Sequence, residues 1–254
     1  MSNLPNVIIV GAQKCGTTTL YFSLKHHSKV QAPMDPEEQK TIKEIDFFFD
    51  ENKWNKGVDW YKDHFKLERQ IYLDPSPNYL VNPTSLKRLS EVCPKAKILI
   101  CLRDPVERAY SQYNHYRRDL PKSKDWDWYS SLNFEENIKV ELSKGCDYKS
   151  DFFHFIGRGI YINQIEHLLQ FFDLSQIYVT ILERWKLNYE EELKKIQNFL
   201  NIEYEPLPLI PCHRLLYEFE PMSLELRALL KEFYLPYNQR LFKFLDFDIP
   251  EWLD

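Results

Sequence analysis

Residues 7–20, Val-Ile-Ile-Val-Gly-Ala-Gln-Lys-Cys-Gly-Thr-Thr-Thr-Leu, constrain the chain more than any other stretch. Val7 to Val10 is an apolar, β-branched run, which suits a buried parallel strand. Gly11 and Gly16 bracket a loop, and Thr17, Thr18 and Thr19 open a helical pattern continued by Leu20 and Leu24. A strand, a glycine loop and a helix in that order make an anion cradle. Loop amides and the unpaired N–H groups of the first helical turn converge there, and the helix dipole adds partial positive charge. The alternative is a tight strand–helix turn without a ligand, but such a turn has no need for Lys14 and three threonines together.

The loop departs from the nucleoside triphosphate pattern. Gly11 and Gly16 satisfy G-x-x-x-x-G, but Thr17-Thr18 follows where Lys-[Ser/Thr] would stand. The lysine sits inside the loop, at Lys14. In triphosphate enzymes the lysine and a Ser/Thr–Mg²⁺ pair serve a β,γ-phosphate chain. Moving the lysine back points to a shorter anion, with the cation aimed at one bridging or leaving oxygen.

A second motif follows about ninety residues later. Ala96 to Leu102 reads as a buried strand, with Arg103 at its carboxyl end, where open α/β sheets place ligands. Asp104, Pro105 and Glu107 then read as cap, first helical position and third position of a helix. Arg108, Ser111 and His115 share one face of it. Arg103 can offer a bidentate fork to a phosphate and Ser111 a hydroxyl. For Arg108 an internal ion pair with Asp104 or Glu107 is the simpler expectation.

G-A-Q-K-C-G-T-T-T-L, together with Arg103-Asp104-Pro105-Val106-Glu107-Arg108-Ala109-Tyr110-Ser111, resembles the two nucleotide motifs of sulfotransferases that use 3′-phosphoadenosine-5′-phosphosulfate (PAPS). The resemblance implies a P-loop-like sulfotransferase fold and in-line transfer of a sulfuryl group to a hydroxyl or amine. It gives Gly11, Lys14, Cys15, Gly16, Thr17, Thr18 and Thr19 to the 5′-phosphosulfate, and Arg103 with Ser111 to the 3′-phosphate. Lys14 would stabilise the leaving phosphate. No metal is needed for this, since a cation and backbone dipoles can carry the developing charge.

Lys43-Glu44-Ile45-Asp46-Phe47-Phe48 resembles the K-E-x-H-F-F segment of the glycosaminoglycan branch of that family, in which the glutamate is the catalytic base. Glu44 then removes the acceptor proton. On the residues alone, Glu44 beside an apolar run is equally a solvent-reaching side chain. Asp46 stands where the family has histidine. Asp74-Pro75-Ser76-Pro77-Asn78-Tyr79 matches the heparan branch's Glu-Lys-[Ser/Thr]-x-x-Tyr at Asp74, Ser76 and Tyr79, but Pro75 replaces the lysine. Asp46, Asp74 and Trp60 are the candidate acceptor contacts, with packing as the other role for Trp60. If Glu44 is not the base, His64 or His115 takes its place. Pro211 to Tyr217 occupies the position of the family's last nucleotide loop, without its glycine, and Arg214 is the candidate cation there.

The rest of the chain reads as follows. Residues 30–41 are a loop, 53–65 aromatic packing at helical spacing, 71–74 a strand and 84–93 a helix. Residues 117–133 are a flap or a solvated loop, 134–144 a helix, and 161–172 a long amphipathic helix. Residues 177–182 are a strand, 189–200 a helix, and a packing helix follows Ser223. The expected class is α/β, one domain over residues 1–254, with a mainly parallel central sheet flanked by helices. At 254 residues, one sizeable core is the default. The net charge of −5 argues against a general nucleic-acid binder. No apolar run of about eighteen residues appears. Five cysteines without a C-x-x-C pair fit free thiols in a reducing compartment, and zinc is not expected. A cytoplasmic sulfotransferase acting on a small-molecule or glycan acceptor is the expectation. The alternatives are a P-loop kinase of a nucleoside or sugar, and a PAPS-binding protein without activity.

Overall fold

A computed structural model describes residues 3–119, 131–146, 154–210 and 221–253. In chain order the elements are β1 (Val7–Gly11), α1 (Thr17–Leu24), β2 (Val30–Gln31), α2 (Glu51–Trp54), α3 (Gly57–Lys62), β3 (Ile71–Asp74), α4 (Pro83–Val92) and β4 (Lys97–Leu102). There follow α5 (Pro105–Asp119), α6 (Phe134–Lys144), α7 (Tyr161–Leu168), β5 (Ile177–Ile181), α8 (Leu182–Leu200) and α9 (Leu224–Leu245). The chain divides into two compact units, residues 1–102 with 167–214, and residues 103–166 with 215–254.

The first unit holds the sheet, five strands in the order β2-β3-β1-β4-β5. Every strand pairing is parallel, so the expected mainly parallel α/β class holds. A parallel sheet needs cover on both faces, and β1 shows it: Val7, Ile8, Ile9 and Val10 are all fully buried. β1 lies between β3 and β4, so the chain passes from one side of it to the other after β3. The carboxyl end of β1 is therefore a topological switch point, where open α/β sheets bind ligands.

Local signals explain most boundaries. Pro83 opens α4 behind Asn82, whose side chain accepts from Ser85 N at 2.8 Å. Two expectations in this unit differ from the structure. Residues 30–31 form a strand rather than loop, because β3 supplies a partner: Val30 pairs with Ile71 and Gln31 with Tyr72. A two-residue strand leaves no periodicity to read. The helix expected from Tyr189 begins earlier, at Leu182, with a break at Asn188 (φ −143°) that separates the two helical stretches.

The second unit packs α5, α6 and α9 around Ala109, Tyr113, Phe134, Ile138, Phe155, Leu230 and Tyr234. Asp104 caps α5, its Oδ1 accepting from Val106 N at 2.8 Å, as expected. Asn133 and Glu136 form a reciprocal capping box at the start of α6. The ion pair expected for Arg108 is not what holds it. Arg108 is fully buried, donating to Gln112 Oε1 at 2.8 Å and to the Phe155 carbonyl. Glu107 instead meets Arg103 at 3.3 Å and Arg227. The long helix expected over residues 161–172 stops at Leu168, and turns close on the carbonyls of His167 and Leu168. Among the described residues no helix is long and apolar enough to cross a membrane.

Candidate active site

The anion loop is built on the end of β1. The Leu80 amide donates to Val10 O at 2.9 Å, bringing Leu80 against Gly11. A Cβ on Gly11 would stand 2.7 Å from Leu80 Cβ, so only glycine fits there. Ala12 N donates to Cys101 O at 2.8 Å, which ties the loop to the end of β4. Lys14 (φ 69°) and Gly16 (φ 88°) are both left-handed, and these two reversals curl the loop into α1. Gly16 is the N-cap and offers no side-chain cap, and the first turn of α1 carries no acidic residue. The amides of Thr17, Thr18 and Thr19 thus begin a helix whose own first turn supplies no carboxylate against its dipole. Lys14 is half-buried within this curl. The arrangement suits one compact anion.

Cys15 corrects part of the expectation. Its side chain is fully buried, and its amide donates to Ala12 O at 3.2 Å. Cys15 shapes the loop from behind, and neither its thiol nor its amide faces outward. Thr17 is also buried, at 4% exposure, while Thr18 and Thr19 are half-buried.

The acidic segment is fastened to the same helix. Tyr21, on α1, donates its hydroxyl to Ile42 O at 3.0 Å. From there apolar and polar residues separate: Ile45, Phe47 and Phe48 enter the core, while Lys43, Glu44 and Asp46 remain half-buried. Phe47 stacks on Tyr61 at 4.4 Å between ring centroids. Lys43 Nζ stands 2.7 Å from Glu44 Oε1. Lys53, on α2, holds Ile45 O at 2.7 Å.

Asp46 is left-handed (φ 51°), and its amide donates to Ser76 Oγ at 3.0 Å. Ser76 donates in turn to Asp74 Oδ1 at 2.5 Å, and Tyr61 and Tyr79 donate to Asp74 Oδ2 at 2.6 and 3.0 Å. Burial raises the Asp74 carboxyl, and the hydrogen bonds from Ser76, Tyr61 and Tyr79 oppose that. Burial also pushes both tyrosines well above their usual value, which keeps their hydroxyls as donors. Burial, with the charges of Glu44 and Asp74, lifts Asp46 to about 7, against Lys53 and Asn78.

The acceptor candidates are placed around this network as follows. Asp74 is fully buried and both its oxygens are occupied by hydroxyls, so it is an internal anchor and not an acceptor contact. Trp60 is half-buried, against Phe47 at 6.0 Å and edge-on to His64 at 4.5 Å, with Lys56 over its ring at 4.7 Å. These contacts pack one side of the ring. His64 is 3% exposed, with Nδ1 on Trp60 O at 3.0 Å, which removes it as an alternative base.

In the second unit, Arg103 is 22% exposed on its side chain, and Tyr161 donates to its carbonyl at 2.8 Å. Ser111 is half-buried on α5. Arg214, and residues 120–130 of the expected flap, lie outside the described residues.

Comparison with known proteins identifies the family. The family model described as the sulfotransferase domain matches residues 4–223. Bifunctional heparan sulfate N-deacetylase/N-sulfotransferase 3 of Homo sapiens is 28% identical over 283 residues, covering 98% of this chain and 31% of the relative. The corresponding enzyme 4 of Mus musculus is 30% identical over 281 residues, covering 99% and 31%. The chain thus spans about a third of the length of these curated relatives. The crystal structure of a sulfotransferase from Alicyclobacillus acidocaldarius superimposes with a TM-score of 0.77 at 25% identity, covering 99% of both chains.

Proposed function

Because the chain belongs to the sulfotransferase family, on the side of its heparan sulfate N-sulfotransferases, we propose that it transfers the sulfuryl group of PAPS to an amine or hydroxyl of a glycosaminoglycan-like acceptor. The observation that carries this is the curled loop at the carboxyl end of β1, with Lys14 inside it and the uncapped start of α1 behind it. PAPS is the general donor of the family, and a phosphosulfate is the compact anion such a loop suits. The acceptor class comes from the names of the relatives.

In this reading the acceptor atom attacks sulfur in line with the bond to the 5′-phosphate. That S–O bond breaks, and its electron pair stays on the phosphate oxygen, where Lys14 and the first amides of α1 meet the growing charge. The acceptor proton goes to Glu44, a half-buried carboxylate on the segment that Tyr21 ties to α1. Asp46 stands beside Glu44 as the acceptor-side carboxyl. Arg103 and Ser111 take the 3′-phosphate on the strength of their motif. A cytoplasmic setting remains part of the proposal through the cysteine pattern alone.

The test supplies purified protein with radiolabelled PAPS and either N-deacetylated heparan sulfate or its fully N-acetylated form, without divalent metal. Label in the first polysaccharide alone establishes transfer to the amine, and label in both establishes transfer to hydroxyl. Label in neither, with Mg²⁺-dependent phosphorylation of a nucleoside or sugar from ATP, refutes the reading.

A further inference from the structure

Lys43 is a cation that the transfer scheme has not used. Its ammonium lies 2.7 Å from Glu44 Oε1, and its side chain is only 15% exposed. One hydrogen bond and one electrostatic influence relate its surroundings to the donor side. Tyr21 holds the adjoining Ile42 carbonyl from α1, the helix that begins at the anion loop. Lys43 is also near enough to the Cys101 thiol to favour its ionised form, against burial and the neighbouring Cys15. The Cys101 carbonyl in turn holds Ala12 of the loop. Lys43 therefore pairs with the proposed base on a segment tied to the helix that the anion loop opens.

That pairing conflicts with the chemistry if it persists. A carboxylate oxygen already holding an ammonium is a poor proton acceptor, and an ammonium held there cannot serve the transferring group. Residues 74–79 contain no lysine or arginine that could act instead. We propose that Lys43 is a further catalytic residue, whose ammonium leaves Glu44 for a sulfuryl oxygen of bound PAPS and so frees the carboxylate for the acceptor proton. The inference rests on the sulfotransferase reading above. Lys43 stays protonated throughout and only exchanges acceptors. The acceptor forms its bond to sulfur, the bond from sulfur to the 5′-phosphate breaks, and the acceptor proton ends on Glu44.

The test compares equilibrium binding of PAPS and of adenosine 3′,5′-bisphosphate (PAP), which lacks the sulfuryl group, by the unaltered chain and by Lys43→Met and Lys43→Arg. Loss of one charge-assisted hydrogen bond to the sulfuryl oxygen should weaken PAPS binding by Lys43→Met by about tenfold. PAP binding should stay within about threefold of the unaltered chain, since that bond is absent there. Retained PAP affinity also establishes that the variant is folded. Lys43→Arg should keep most of the preference for PAPS. If Lys43→Met fails to fold, Lys43→Gln is read in the same way. Equal effects on both nucleotides, or none on either, overturn the role of Lys43 and leave the sulfotransferase reading standing. Failure of the unaltered chain to bind either nucleotide overturns both.

Discussion

Asp46→Asn should make the protein more stable, and increasingly so as pH rises. In the folded chain Asp46 is half-buried, meets Asn78 at 3.5 Å and shares its surroundings with Glu44 and Asp74. Burial and these two like charges raise its carboxyl from 3.8 to about 7, with Lys53 opposing them from α2. A raised acid binds its proton more tightly in the folded state than in the unfolded one. Its contribution to stability is therefore fully present below about 3.8 and is lost as pH rises through about 7. About three pKa units at 1.36 kcal/mol each give a total of roughly 4 kcal/mol. Of this, roughly 2–3 kcal/mol falls between pH 5 and pH 8. Asparagine keeps the size and cannot ionise. Urea unfolding of both proteins across that range should show Asp46→Asn gaining roughly 2–3 kcal/mol relative to the unaltered chain, because titrations of groups that do not interact with Asp46 cancel in the difference. A difference that is flat with pH would mean that Asp46 titrates alike in both states, and the argument from burial and like charge would fail.

Three other outcomes are expected. Lys14→Ala should cost about 2.7–4 kcal/mol of transition-state stabilisation, the scale of one lost oxyanion-type donor, as read from kcat/KM with PAPS. Glu44→Gln should lose about 10²–10⁴-fold in kcat while still binding PAP, which separates a base from a structural group. Cys15 is fully buried, so a small alkylating reagent should label it as slowly as Cys101 with or without PAP, and peptide-resolved alkylation showing rapid labelling suppressed by PAP would contradict that placement.

Much of the donor side was legible because it is local. The run Val7–Val10, the glycines at 11 and 16 and the start of α1 at Thr17 are consecutive signals, and β1 and α1 form where they indicate. The cap at Asp104 was equally readable, since an N-cap acts over a few residues. What could not be read depends on distant partners. β2 exists because β3 pairs with it, and Cys15 faces inward because of how the loop curls. Asp74 matched an acceptor motif in sequence, yet Tyr61, Ser76 and Tyr79 close around it, and that convergence of hydroxyls has no spacing signature. Arg108 illustrates the same limit. Its ion-pair candidates are neighbours in sequence, but its guanidinium goes to a carbonyl 47 residues away.

The central place of β1 has a kinetic consequence. β1 has a partner on each side, whereas β2 and β5 each have one. Amide exchange reports openings that range from edge fraying to full unfolding, and the most protected amides lie in strands paired on both sides. The edges of this sheet can open and close while β1 keeps both neighbours. Deuterium should therefore enter Val30–Gln31 long before Ile8–Val10. The loop is anchored at one end to a strand held on both sides, so it should persist through the partial openings that expose the periphery, and its loss should coincide with unfolding of the unit as a whole.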